Sequence, residues 1–306
     1  MAEPAPDTRA PSLIIPSVKT LFLIDASSFI YRSYFALPPL TTSGGFPTGA
    51  VYGFLRALLS IMKTEKPRHL AVVFDSPVPS KREKIYREYK AGRPPTPDPL
   101  KVQIPVIRRI LKLMGVPVFE VSGYEADDII AVLARKFSDR GFKVRIYTPD
   151  KDMLQLVSER VVVINPMTWE TFTPQKVEEK LGVPPSKIPD YLALVGDKID
   201  NVPGVKGVGP KTAVRLIREF GGVEGILERW EEFHRRFPQA DRESLKLSYE
   251  LVRLITDVHV EVSEEDTRLG SPDMEELSRE LEKLEMKSIL RDLERIVRRR
   301  SQGSLF

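Results

Sequence analysis

The chain of 306 residues has no cysteine, which excludes disulfides, thiolate metal centres and a cysteine nucleophile, and suits a reducing compartment. Histidine is nearly as scarce. His69, His234 and His259 are the only three, and none adjoins an acidic motif, so imidazole-based zinc chemistry has nothing to build on and all three read as structural or surface residues. No apolar run approaches the roughly 20 residues of a membrane span. The opening "MAEPAPDTRAPSLIIPS" is proline-rich with too short an apolar run for a signal peptide, so residues 1–17 are expected to form a disordered tail on a soluble cytoplasmic protein. A dominant charge is missing too: 47 Lys and Arg oppose 43 Asp and Glu, for a net +4. So weak a basic excess serves an anionic partner only where it is concentrated.

What is present reads first as architecture. Apolar content of 42% supports a real core, in one large domain or two ordinary ones. The runs "KTLFLID", "HLAVVFD", "VPVFEV", "KVRIYT" and "RVVVIN" have the β-branched character of buried strands. Between them "TGAVYGFLRALLSIMKTE", "LKVQIPVIRRILKLM" and "EADDIIAVLARKF" carry apolar residues at helical spacing. The alternation predicts an α/β fold, a mainly parallel sheet flanked by helices. Strand signals fade after about Ser186, which predicts a second, helical region ending in the basic "RIVRRR". One stretch, residues 79–99, fits neither pattern: Lys81, Arg82, Lys84, Arg87, Lys90 and Arg93 accompany Glu83 and Glu88, with few apolar positions and a proline-rich exit. It is expected to stay out of the core, as a solvated loop or charged helix, and long excursions of this kind are also where functional loops sit.

The acids carry the chemical signal. In "GYEADDIIAVLA", residues 123–134, three carboxylates stand just ahead of an apolar run. For any one of them, complementing the positive end of a helix dipole is the ordinary explanation. Yet Asp25 closes one predicted strand, Asp75 another, and Asp150 and Asp152 follow a third, while Glu125, Asp127 and Asp128 follow "VPVFEV" across a short turn. Parallel strands deliver all these ends to one sheet edge, where sites form in open α/β sheets. Glu125 and Asp127 converge only if the turn at Gly123 is not yet helical, because residues two apart on a helix diverge. Asp197 and Asp200, three apart in "LVGDKIDNVPG", are expected on one face of a helical turn. Nine carboxylates at one place repel one another unless cations neutralise them. Oxygen-only ligands favour Mg²⁺ or Mn²⁺, and so large a cluster suggests two ions, ~3.5–4 Å apart in such centres.

A second anion-facing device is "NVPGVKGVGPKTAVRLIREFG", residues 201–221, a glycine-rich turn leading into an amphipathic helix. Pro210 stands before Lys211 where a nucleotide-binding P-loop needs glycine, and proline has no N–H to donate, so an ATP site is rejected. A glycine hairpin of the helix–turn–helix kind, gripping duplex backbone with Lys206, Lys211 and Arg215, fits better. An ordinary tight turn with Pro210 at the first helical position fits equally well.

In order, "FLIDASSFIYRSYFALPPL", "PTGAVYGF", "VVFDSP", "YREYKAGRPPTP", "GYEADDIIA", "YTPDKDMLQLV" and "LVGDKIDNVPGVKGVGPKTA" resemble the 5′-nuclease (flap endonuclease-like) family, and most of all the 5′→3′ exonuclease domain of bacterial DNA polymerase I. The resemblance covers about residues 19–290. It implies a PIN-like catalytic domain over 18–185 with a helical arch at about 79–99, a helix–three-turn–helix region over 186–300, and a tail over 301–306. It places Asp25, Asp75, Glu125 and Asp127 at a first metal and Asp128, Asp150, Asp152, Asp197 and Asp200 at a second. Lys90 and Arg93 fall beside the scissile phosphate, with Asp75, Asp127 and Asp197 counted as catalytic. Arg32, Arg82, Lys90, Arg93, Lys206, Gly207, Gly209, Lys211 and Thr212 fall on DNA, and K⁺ in the turn from Val205 to Val208. The implied activity is two-metal hydrolysis near the 5′ end of branched, flapped or nicked duplex DNA and of RNA primers, in replication and repair. A monomer near the nucleoid, working beside a DNA polymerase, is expected. Tyr31, Phe35 and Tyr86 are available for stacking but equally suited to a core. The sequence departs from the family at Ala26, usually Gly, and at Lys81, often aromatic. It ends at Phe306 without a polymerase region, as a stand-alone exonuclease or a segment of a longer polymerase would.

Two other classes compete. A binder of branched DNA that no longer cuts predicts missing acids, whereas all nine positions are filled. A phosphatase or phosphoacceptor domain accounts for Asp127 and Asp128 but not for the glycine hairpin or the basic excursion.

Overall fold

The computed structural model describes residues 18–303, with side chains through Arg300. The tail expected over 1–17 lies outside the described residues. Six strands form one sheet: β1 Thr20–Asp25, β2 His69–Val73, β3 Val118–Phe119, β4 Lys143–Tyr147, β5 Val161–Ile164 and β6 Thr171–Phe172. Their order is β3-β2-β1-β4-β5-β6, with β1 to β5 parallel and β6 antiparallel to β5. The pattern predicts five of these. Strand β6 is two residues long, too short to carry a period, and returns through a tight turn in which Asn165 N–H donates to the Glu170 carbonyl at 2.9 Å.

Helices cover both faces because β1, β2 and β4 bury side chains on both. Beneath one face lie Ala26–Ala36, Gly49–Glu65 and Gln103–Leu113. Helix Gly49–Glu65 presents Val51, Phe54, Leu55, Leu58, Ile61 and Met62 to the sheet, and stops where Lys66 adopts a left-handed φ of 48° and returns its N–H to the Met62 carbonyl. Over the other face lies Ala126–Asp139, whose Ile129, Ile130, Leu133 and Phe137 are fully buried. Each such side chain contributes about 1.5–3 kcal/mol of burial. The same core runs on into helices Ile188–Val195, Pro210–Phe220 and Arg242–Val252.

Three expectations about organisation change. The last helices, Met274–Lys283 and Lys287–Gly303, bury Leu277, Leu281, Ile289 and Leu293 with the first face of the sheet, against Gly49–Glu65 and Gln103–Leu113. Residues 186–300 are therefore not one packing unit, and positions 301–303 are helix rather than tail. The basic stretch is neither free-standing nor wholly outside the core. A short helix, Lys81–Ile85, closed by a reciprocal cap between Ser80 and Glu83, is followed by turns through Arg93. Arg82 is 3% and Tyr89 6% exposed.

Candidate active site

All the parallel strands point their carboxyl ends to one edge, and β1 and β4 adjoin where the strand order reverses, the usual crevice of such sheets. Asp25, the last residue of β1, caps the next helix: Ser28 N–H donates to it at 3.1 Å, Thr148 Oγ1 at 2.9 Å, and the Ser28 hydroxyl donates as well. Asp75, two residues past β2, accepts from Ala126 N–H at 2.8 Å and from the Ser27 hydroxyl. Gly123 turns with φ +79°, Glu125 stays extended at φ −81°, ψ 156°, and the helix begins only at Ala126. The convergence condition on Glu125 and Asp127 is thereby met.

Past β4, Asp150 accepts the Asp152 N–H at 2.8 Å. Asp197 and Asp200 do not lie on a helical turn. Helix Ile188–Val195 ends at Gly196, and Asp197 pairs with Val202 across a non-helical turn in which its Oδ1 accepts Ile199 N–H at 2.8 Å and Asp200 N–H at 3.3 Å. An aspartate that satisfies the next backbone donors competes with the helix it was expected to continue. Gly196 and Gly204 hold this turn closed. Both have positive φ, and a Cβ on Gly204 would stand 2.7 Å from the Gly196 nitrogen.

Protein cations already lie on these acids, Arg82 among them, with Nη1 3.4 Å from Glu125 Oε2. Lys90 Nζ is 2.9 Å from Glu125 Oε2, Lys151 Nζ is 2.9 Å from Asp197 Oδ2, and the Arg93 guanidinium binds Asp200, with Nε at 3.0 Å. Burial pushes Glu125 up, but Lys90 and Arg82 outweigh it and hold that carboxyl below its usual range. Burial likewise loses to Lys151 and backbone N–H groups at Asp197, which is also lowered. Asp25, Asp127, Asp150 and Asp152 shift the opposite way. Burial, reinforced by Asp75 and opposed by Ser28, raises Asp25 to about 6. Burial and Asp150 raise Asp152 to about 7. Asp127 lies well above the ordinary range through burial and the charges of Asp150, Asp25 and Asp75. Asp150 is raised by burial and Asp200 despite its hydrogen bond from Asp152.

Among the described residues no three acidic or histidine side chains converge as a finished ligand set. The donor chemistry nonetheless fits hard divalent ions. Asp152 Oδ1 is buried without a hydrogen-bond partner, Asp127 makes no ion pair among the described residues, and burial together with mutual repulsion raises Asp127 and Asp152.

Two assignments are corrected. Asp128 does not face this edge. It is 1% exposed, its oxygens accept Arg82 Nη1 and Nη2 at 2.8 Å each, and Oδ1 also takes Ile255 N–H at 2.8 Å, which leaves it no free face for an ion. Arg82 is consumed in the same junction, donating also to the Leu251 and Arg253 carbonyls at 2.8 and 2.7 Å, so it does not reach DNA. The remaining predicted contacts are placed as follows. Arg32 is exposed on helix Ala26–Ala36. Lys206, Gly207 and Lys211 are exposed, Gly209 and Thr212 half-buried, and helix Pro210–Phe220 has no side-chain cap on its leading N–H groups. Val205 and Val208 are buried, with Val208 N–H donating to the Val205 carbonyl at 3.0 Å. Tyr31 and Phe35 are exposed, whereas Tyr86 packs on the core. Sequence reasoning missed the supports Ser27, Ser28 and Thr148, and the cation Lys151. The serines after Asp25 had a readable signal, a hydroxyl pair at a helix start.

Residues 20–182 match the 5′-3′ exonuclease N-terminal, resolvase-like domain, and residues 183–275 the 5′-3′ exonuclease C-terminal SAM fold. The chain is 62% identical over 289 residues to a 5′-3′ exonuclease of Aquifex aeolicus (strain VF5), covering 94% of this chain and 100% of that protein. It is 42% identical over 275 residues to the thermostable DNA polymerase I of Thermus aquaticus, covering 89% of this chain and 33% of the polymerase, so it spans about a third of such relatives. Its backbone is similar to the T5 D15 protein co-crystallised with metal ions (TM-score 0.65, 20% identity, 90% of this chain and 100% of that one). It is also similar to the catalytic core of Rad2 in complex with DNA substrate (TM-score 0.59, 19% identity, 90% and 91%).

Proposed function

Because the chain belongs to the 5′-3′ exonuclease family, we propose that its acidic edge hydrolyses phosphodiesters near the 5′ end of branched, flapped or nicked duplex DNA and of RNA primers. The observation that carries the reading is the pairing of raised, under-partnered acids with exposed glycine-turn backbone in one molecule. Asp25, Asp75, Glu125 and Asp127 would hold one Mg²⁺ or Mn²⁺ ion, and Asp150, Asp152, Asp197 and Asp200 another. Such ions, when bound, supply Lewis acidity and lower the pKa of water.

The chain's own groups do the rest. Serine and threonine hydroxyls and the Ala126 N–H fix the directions of Asp25 and Asp75 before substrate arrives. Lys90 and Arg93, held at the rim by Glu125 and Asp200, neutralise charge on the phosphoryl oxygens as water attacks phosphorus. The P–O3′ bond breaks in line, so the released 5′ fragment carries the new 3′-hydroxyl and the retained strand keeps a 5′-phosphate. Lys206, Gly207, Gly209, Lys211 and Thr212 grip duplex backbone through side chains and open N–H groups, with Arg32 at the rim. The Val205 carbonyl keeps a second lone pair, on which K⁺ at the turn from Val205 to Val208 would draw. The protein works as a monomer beside a DNA polymerase at the nucleoid. No helix among the described residues is long and apolar enough to cross a membrane.

The test is cleavage of a labelled 5′-flap substrate in Mg²⁺, run beside Asp197→Asn. The native chain should cut and the variant should not. A native chain that binds the flap yet leaves it intact in both Mg²⁺ and Mn²⁺ overturns the reading.

A further inference from the structure

We propose that Lys151 is a resident counter-cation that occupies Asp197 until a divalent ion displaces it, and so sets how tightly the second ion binds. The inference deepens the two-ion reading and rests on it. Lys151 lies between two of the proposed ligands in "TPDKD", yet it pairs with neither neighbour. Its Nζ crosses to Asp197 Oδ2 at 2.9 Å, on the turn that opens the glycine-rich module. The neighbouring acids are differently placed: Asp150 Oδ1 takes the Asp152 N–H, and Asp152 Oδ1 is buried with no partner. The Lys151 backbone is fixed, since its carbonyl accepts the Leu154 N–H at 3.0 Å. Its side chain is not: it is 55% exposed against 16% for Asp197. A flexible stem on a fixed root allows the ammonium to leave without rearranging the loop. Lys90 and Arg93 pair with Glu125 and Asp200, but they come from the basic stretch; Lys151 is the cation that comes from the loop bearing the ligands themselves.

The sign of the effect separates this positioning role from a merely structural one. Damage to the loop weakens metal binding, whereas loss of a competing cation strengthens it. Releasing an exposed ion pair costs about two- to fivefold in an equilibrium, and removing the ammonium also removes its repulsion of a divalent charge. We therefore expect Lys151→Met and Lys151→Gln to tighten the weaker Mn²⁺-binding step by about three- to tenfold, read by isothermal titration calorimetry on the full chain. Lys151→Arg should stay within about twofold of native, and Lys151→Met should gain nothing in an Asp197→Asn background. Unchanged or weaker Mn²⁺ binding in both neutral variants overturns the role of Lys151 while leaving the metal centre intact. A native chain that binds no Mn²⁺ at all overturns the centre and the inference together.

Discussion

The first turn of helix Ala126–Asp139 carries two adjacent carboxylates in opposite circumstances. Asp128 is sealed between Arg82 and a backbone N–H, every oxygen answered. Asp127, one residue earlier, makes no ion pair among the described residues and is crowded by Asp150, Asp25 and Asp75. Successive helical residues point about 100° apart, so one faces the junction with the C-terminal helices and the other the sheet edge. A buried charge whose partners are complete stabilises through geometry, but only while both partners remain. A crowded acid without partners weakens the fold, and persists where something from outside completes it.

The largest test of this contrast is Arg82→Met. It strands Asp128 as an unpaired buried charge and should cost about 3–5 kcal/mol in urea unfolding. Combining it with Asp128→Leu should recover most of the loss; if the double variant is as unstable as the single, the junction is not a paired unit. Next, Asp127→Asn should leave stability intact or improved while cutting cleavage of a 5′-flap by more than about 100-fold, beyond the usual cost of losing a supporting partner. Nearly native turnover would remove Asp127 from the chemistry.

A smaller effect concerns Asp152→Asn in the metal-free protein. The folded carboxyl is raised to about 7 from an ordinary value of 3.8, so the stability it lends is full below about pH 4 and fades as pH climbs through 7. Asparagine mimics the neutral form at every pH. The variant's melting point in chelator should therefore match native at pH 4 and exceed it by a few degrees at pH 8. A constant offset across that range would argue against a titrating origin. The smallest effect is that Mg²⁺ at pH 8 should raise native melting more than it raises that of Asp152→Asn, since the variant has less repulsion to relieve.

Much of this was legible in the chain. β-branched runs marked β1, β2, β4 and β5, and an aspartate at or just beyond a strand end needed only parallel strands to predict a shared edge. What escaped was what depends on the third dimension. Nothing local distinguishes Asp127 from Asp128, because the partner of Asp128 comes from 46 residues away and the acids that crowd Asp127 come from several strands. Arg82 read as a solvated cation because its carboxylate and its two carbonyls, at Leu251 and Arg253, are distant in sequence. The spacing of Asp197 and Asp200 suggested helix, and the side chain's own hydrogen bonds to the following N–H groups overrode it.

The basic stretch is also stitched to the glycine-rich module. Lys90 N–H donates to the Asp200 carbonyl at 3.0 Å and the Asn201 amide to the Glu88 carbonyl at 2.9 Å, while Arg82 reaches the end of helix Arg242–Val252. Backbone and a guanidinium thus tie the glycine-rich turn to the acids. If that turn holds duplex as proposed, the molecule is a ruler: the incision would fall at a constant number of nucleotides from the point of hold, whatever bases lie between.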